Sequence, residues 1–304
     1  MGVNEGSIGK INIKRSTNNI TTRLVETKAP YISYINLENT GFVHNGFSTR
    51  IGGVSTGVFS SMNFSWNLGD TQENVIKNFD IFLKENGFSN PVMSHQTHTV
   101  NVKRVTKEDI GKGIYRQRDY HDIDGLITNE PGITLVTSYA DCVPLYIVDT
   151  KNKAIGLSHS GWRGTVERMG EKTILAMAEG FGTKPEDIIA AIGPSICVRC
   201  YEVSEDVAYK FKDKFNCIVR EYEKYKENDI FTDTENIVYR KKNGKYMINL
   251  WAANYKVLTD AGVGKENISM PDICTCCNKD ILFSHRGHMG KRGNLCAFME
   301  IVHK

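Results

Sequence analysis

The chain has 304 residues, with 38 Lys+Arg against 35 Asp+Glu for a formal net charge of +3, and it is 40% hydrophobic and 24% charged. That near balance argues against a protein built mainly to coat nucleic acid or an anionic membrane, and the apolar content excludes a disordered chain. No stretch approaches the ~20 apolar residues of a membrane helix, and a chain of this length buries a core without disulfides.

In chain order, residues 1–30 hold neither an apolar signal segment, which points to the cytoplasm, nor any periodicity. They read as an edge strand or loose arm ahead of a single domain at 31–304. Apolar alternation begins at Tyr31–Ile35, and Arg50–Gly57 is a glycine-rich loop. Asp70 and Glu73 predict the N-cap and capping box of a helix with Val75, Ile76, Phe79, Phe82 and Leu83 inward, ended by Asn86-Gly87. Strands are predicted at 133–137, 145–149, 153–158 and 188–192, with a helix over 165–179 between the third and fourth. A helix follows Ser204 with Val207, Phe211 and Phe215 inward. Asn243-Gly244 marks a hairpin joining 237–240 to 245–248. A last helix spans 250–261 and stops at Gly262, and strands are expected at 281–283 and 296–301. Helices interleave with strands, yet hairpins are frequent. The pattern favours an α+β domain of mixed sheets covered by helices over a pure parallel sheet.

The informative stretch runs from Ala140-Asp141-Cys142 to His159. Two apolar strands flank Thr150-Lys151-Asn152. A hairpin pairing Asp149 with Lys153 sets Cys142 almost opposite His159, with Cα atoms ~5 Å apart. Such a pair serves either as a Cys–His nucleophilic dyad or as two ligands of a zinc site, which needs a thiolate and a neutral imidazole. His95-Gln96-Thr97-His98 supplies a third ligand. On a strand His95 and His98 face opposite sides, so only one joins the pair. A three-ligand site leaves a position open for water or substrate.

The eight cysteines stand at 142, 197, 200, 217, 274, 276, 277 and 296. Cys197-x-x-Cys200 and the dense Cys274-Thr275-Cys276-Cys277 suggest a zinc ribbon, but the long gap between them favours separate thiols. Two loops have anion-binding chemistry. Arg50 precedes Gly52-Gly53, Ser55 and Thr56, and Gly161-Trp162-Arg163-Gly164 lies between a strand end and a helix start. Taken alone, each is better read as a tight turn with a surface arginine. The basic run His285–Gly293 reads as a solvated loop rather than a substrate rim.

Six motifs taken together resemble one family: Ser48-Thr49-Arg50 with Gly52-Gly53-Val54-Ser55, His95-Gln96-Thr97-His98, Asp124-Gly125-Leu126-Ile127-Thr128, Ala140-Asp141-Cys142-Val143-Pro144, His159-Ser160-Gly161-Trp162-Arg163-Gly164 and Ile192-Gly193-Pro194-Ser195-Ile196. This is the laccase-domain family, long labelled polyphenol oxidoreductase and now regarded as purine nucleoside phosphorylases with adenosine deaminase and methylthioadenosine phosphorylase side activities. The resemblance runs from about residue 40 onward. It implies a single α+β domain of layered α/β/β/α architecture and a zinc held by His98, Cys142 and His159. It further implies a purine nucleoside and phosphate as substrates. Arg50 and Arg163 match basic positions of its motifs, and their anion-loop chemistry assigns them to phosphate. Asp141 and Asp124 are candidate proton carriers. Thr99 and Ser160 depart from the family pattern beside ligands and are expected to change the pocket's width. The rival readings are a copper-dependent polyphenol oxidase using the same His/Cys/His set, and a metal-stabilised binding protein without activity. Neither nucleic acid nor membrane is expected as a partner.

Overall fold

The computed structural model describes residues 11–224 and 229–302. Two six-stranded sheets lie face to face. The first has the spatial order Thr22–Val25, Tyr31–Tyr34, Val43–Ser48, Leu295–Ile301, Thr134–Tyr139, Pro91–Met93 and is antiparallel except for its last pair. The second runs Ile268–Ser269, Ile188–Ile192, Val143–Asp149, Ala154–Ser160, Gly125–Thr128, Val102–Arg104, with parallel pairs at both edges and an antiparallel centre.

Side-chain alternation divides each central strand between two cores. Along Leu295–Ile301, the residues Leu295, Ala297, Met299 and Ile301 enter the core between the sheets, where they meet Tyr146, Val148, Ile155 and Leu157 of the second sheet. Cys296 and Phe298 point the other way, against Val75, Phe79, Phe82 and Leu83 of the helix Gln72–Asn86. Val143, Leu145 and Ile147 leave the second sheet on its outer face. There they pack on Ile174 and Met177 of the helix Met169–Phe181, and on Val257 and Leu258 of the helix Leu250–Asp260. The result is an α/β/β/α sandwich. Both faces of the central strands are covered, and those strands accordingly read as continuous apolar runs. A smaller sheet, Glu202–Val203, Tyr246–Ile248, Val238–Arg240 and Val219–Glu221, sits beside the helix Glu205–Phe215, with the expected Asn243-Gly244 turn at its hairpin. Among the described residues no helix is long and apolar enough to cross a membrane.

Several local expectations are corrected. Thr71, not Asp70, caps the first long helix, accepting from the Asn74 N–H at 3.2 Å, while Asp70 bonds Ser55, Asn63 and Asn74 and ties the glycine-rich loop to the helix start. The helix expected at 165–179 is two pieces, Trp162–Val166 and Met169–Phe181, split by Arg168 at φ +64°, whose guanidinium pairs with Glu171 and Asp260. Residues 281–283 are not a strand. Ile281 and Leu282 both donate to the Asn278 carbonyl, and Leu282 and Phe283 are buried in a turn. Burial accounts for the apolar run, which at this length carries no period. In the segment read as an edge strand or loose arm, Thr22–Val25 is indeed the edge strand of the first sheet and Arg15 forms an ion pair with the buried Asp272, while residues 1–10 lie outside the described residues.

Candidate metal centre and active site

The site grows from the central hairpin of the second sheet. Its turn is one residue longer than expected. Asp149 pairs with Ala154 and Pro144 with His159, and the pairing ends at Val143 with Ser160, one residue short of Cys142. The Cys142 and His159 side chains still converge at the open end. A Cβ on Gly161 would lie 2.9 Å from His98 Cδ2 and 3.1 Å from Cys142 Sγ, so no larger residue fits between them.

His98 arrives from the loop joining Pro91–Met93 to Val102–Arg104 and has φ +68°. One carboxylate holds this geometry. Asp124, fully buried at the entrance of Gly125–Thr128, accepts from the backbone N–H groups of Thr97 (3.1 Å), His98 (3.2 Å) and Thr99 (2.9 Å) and from the Thr99 hydroxyl (2.9 Å). It also pairs with His159 Nδ1 at 2.7 Å, while its carbonyl accepts from the His159 N–H. With Nδ1 engaged, the Nε2 of His159 is left for a ligand, as in carboxylate–histidine–metal arrangements.

The ligand atoms of His98, Cys142 and His159 all lie within 4.8 Å of one another. Burial would raise the Cys142 thiol, but the His159 and His98 imidazoles outweigh it and bring it down to about 6. Burial would lower His159, but the Cys142 sulfur and the Asp124 carboxylate push it up to about 9. Both shifts favour a thiolate beside a protonated imidazole, and a cation held there would need His159 in its neutral form. One soft sulfur and two imidazoles with an open position suit zinc or copper.

A cavity of about 240 Å³ opens over the cluster. Trp66, His95, Gln96, Arg118, Tyr139, Arg292 and Asn294 are among its lining residues. His95 and His98 both line it. The 94–101 loop is not a strand, so the expected opposition of the two rings does not arise. Only His98 joins Cys142 and His159. The Nδ1 of His95 accepts from the Asp122 N–H at 3.2 Å.

The other sequence candidates are placed differently. Arg50 is absent from the cavity lining. Its guanidinium lies 4.5 Å over Phe283, donates to the Ser60 carbonyl at 2.7 Å and stands 2.9 Å from His288 Nε2. Its glycine-rich loop is no anion nest. The N–H groups of Ile51, Gly53, Val54 and Ser55 go to Thr49, Ser61, Asn78 and Ser61, and Gly52, at φ +92°, abuts the Lys28 carbonyl. Arg163 is exposed, outside the cavity lining, and folded over Trp162 at 4.3 Å. Asp141, at φ +88°, has both carboxylate oxygens engaged, by the Thr275 hydroxyl and the Arg286 N–H, each at 2.7 Å. Neither departure from the family pattern sets the pocket width. Thr99 holds Asp124, and Ser160 bonds Asn254 and Thr165 on the helix side of the sheet.

Arg118, Arg292 and Trp66 were not singled out from the sequence. Arg292 Nε and Trp66 Nε1 are buried donors with no protein partner, and both residues line the cavity. Arg292 belongs to the basic run read as a solvated loop. The signal that could have flagged it was the density of glycines and cations there.

The structure is a double-sheet sandwich that brings one cysteine and two histidines together at the end of its central hairpin, a grouping that could hold a metal ion. The chain belongs to the family described as multi-copper polyphenol oxidoreductase laccase, whose model matches residues 44–302. It is 34% identical over 281 residues to a purine nucleoside phosphorylase of Bacteroides thetaiotaomicron, covering 90% of this chain and 96% of that one. To the Bacillus subtilis purine nucleoside phosphorylase YlmD it is 32% identical over 268 residues, covering 86% and 90%. Among solved structures, YlmD from Geobacillus stearothermophilus superposes with a TM-score of 0.80 at 28% identity, covering 93% of this chain and 99% of that one.

Proposed function

We propose that the protein is a zinc-dependent purine nucleoside phosphorylase, with His98, Cys142 and His159 as the metal ligands and with adenosine deamination and methylthioadenosine phosphorolysis as further activities of the same cavity. The observation that carries this reading is the meeting of that His/Cys/His set with two arginines and an aromatic ring around one small cavity. The names of the relatives at 32–34% identity point the same way.

The chemistry such an ion supplies is polarisation of a substrate oxygen and, for deamination, activation of water. The remaining work falls to side chains. Trp66, stacked on Phe79, offers a flat face to a purine, and its unsatisfied Nε1–H donates to a heteroatom. Phosphorolysis brings an anion against a ribose that gains cationic character, so the phosphate needs fixed donors near the cluster. Arg292, with a buried donor unmet by protein, and Arg118 are placed for this, in preference to Arg50 and Arg163. Asp141 acts by position, setting the turn that delivers Cys142.

The lone His/Cys/His set bears on the copper alternative. The chain has eight histidines. Among the described residues they contribute to only one converging group of three or more ligand-type side chains. Phenol oxidation by several coppers needs many more imidazoles in reach of one another.

The test is release of free base and ribose 1-phosphate from inosine, adenosine and methylthioadenosine, with and without phosphate. Turnover should require phosphate for phosphorolysis but not for deamination. Arg292→Ala removes a charge-assisted contact worth ~1.5–3 kcal/mol, so the phosphate requirement should rise roughly 10- to 150-fold with deamination little changed. Arg50→Ala should leave the phosphate dependence near wild type. The opposite ranking would return the anion to Arg50.

A further inference from the structure

A second group of sulfurs lies outside the cavity lining. The Sγ atoms of Cys197, Cys200, Cys274 and Cys277 all fall within 4.8 Å of one another. We propose that these four cysteines hold a structural zinc ion, separate from the His98/Cys142/His159 centre, which braces the turn carrying Cys142.

The ligand pattern is two C-x-x-C knuckles, 197–200 and 274–277, with Cys276 left out of the tetrad. The sequence separation that spoke against a shared site is closed by the fold. Ile188–Ile192 pairs in parallel with Ile268–Ser269, so both chains leave the sheet at the same end, and the Ser195–Cys274 bridge carries them on side by side. Four thiolates around one zinc at ~2.3 Å stand roughly 3.8 Å apart. The Cys200–Cys277 separation is 3.5 Å, and every other pair lies within 4.8 Å. An iron–sulfur cluster distributes its cysteines over two or more irons and needs a wider cage.

The surroundings suit a ligated thiolate rather than four inert thiols. The N–H groups of Cys197 and Cys277 both aim at Cys274 Sγ, at 3.3 and 3.4 Å. Two amides converging on one sulfur fit the hydrogen-bonded partners that metal ligands keep. Trp251, Phe231, Tyr239 and Met247 close the site off from water on the apolar side, while Arg286 donates to the Cys200 carbonyl at 3.3 Å.

The knuckles also grip the active-site turn. The Ile196 N–H, one residue before Cys197, donates to the Asp141 carbonyl at 3.0 Å. Thr275, one residue after Cys274, donates to the Asp141 carboxylate at 2.7 Å. Asp141 holds a left-handed backbone immediately before Cys142. Metal at the tetrad thus fixes the segments that fix Asp141. This bracing role rests on the reading of Cys142 as a ligand, whereas the tetrad's metal does not.

The experiment counts metal in protein purified under reducing conditions. Wild type should carry about two zinc ions per chain and Cys142→Ala about one. In cobalt-substituted Cys142→Ala protein, the remaining ion should show intense sulfur-to-cobalt charge-transfer bands with tetrahedral ligand-field bands, the signature of a four-thiolate site. Cys277→Ser should lose one equivalent relative to its parent, and Cys276→Ser should keep full occupancy. Cys142→Ala protein that is folded yet metal-free overturns the proposal. So does iron in place of zinc, a Cys200–Cys277 disulfide, or equal metal in Cys277→Ser and wild type. Because these readouts omit nucleosides, a failed phosphorylase assay leaves them standing.

Discussion

Cys142→Ala should abolish metal binding at the hairpin end and nucleoside turnover together, with the sandwich intact. Among the described residues the sulfur is one of three ligand atoms that converge there, and the two imidazoles left behind make a weak site. Losing a mere hydrogen-bond partner of a ligand weakens such sites ~10- to 100-fold, so losing the ligand should exceed that. His98→Ala should behave the same way. His95→Ala, although it faces the same cavity, should retain the metal, because its ring nitrogen bonds the Asp122 N–H instead. Zinc content, base release and thermal melting on the three variants check this. A metal-replete Cys142→Ala centre would mean that the ligand set is wrong.

Asp124→Asn should have the second-largest effect, and a different character. The substitution keeps size and shape but turns one acceptor oxygen into a donor facing groups that are themselves donors: the N–H groups of Thr97, His98 and Thr99, the Thr99 hydroxyl and His159 Nδ1. Each buried donor left unmet costs about 1–3 kcal/mol. Melting should drop markedly, and metal affinity should fall ~10- to 100-fold as His159 loses its orienting partner. Burial would raise the Asp124 carboxyl, yet the His159 hydrogen bond and charge and the backbone donors hold it below the ordinary carboxylate value. Its contribution to stability is therefore complete above that ordinary value and is lost as pH falls through the depressed one. The variant should lack this acid-side loss, which melting curves across an acid series would show. An unchanged acid profile in Asp124→Asn would show that the carboxylate is not the group holding the loop.

The sequence made legible what depends on local pattern. Ile188–Ile192 occupies the expected residues, the Asn243-Gly244 hairpin closes as its turn chemistry requires, and the Cys142–His159 approach survives a one-residue error in turn length because both residues lie at the strands' open end. Features that depend on distant chain segments meeting were hidden. Arg118 and Arg292 share a cavity wall only after two sheets have formed, and neither carries a local mark of its neighbour. Cys197 and Cys274 are 77 residues apart in sequence, and a parallel strand pair that no spacing rule reveals brings them together. Arg50 misled for the converse reason. Its glycine loop has the composition of an anion nest, but its N–H groups are consumed by Thr49, Ser61 and Asn78.

The strand Leu295–Ile301 lies between Val43–Ser48 and Thr134–Tyr139 and bonds to both. Cys296 donates to Ser48 from 248 residues away. On the ribosome, the first sheet therefore stays split, with the apolar edges of both neighbours unpaired, until residue 301 has left the exit tunnel. Closing so long a loop is slow, and open strand edges invite association between chains. A chain halted before residue 295 should therefore associate through those two unpaired edges more readily than the full-length chain.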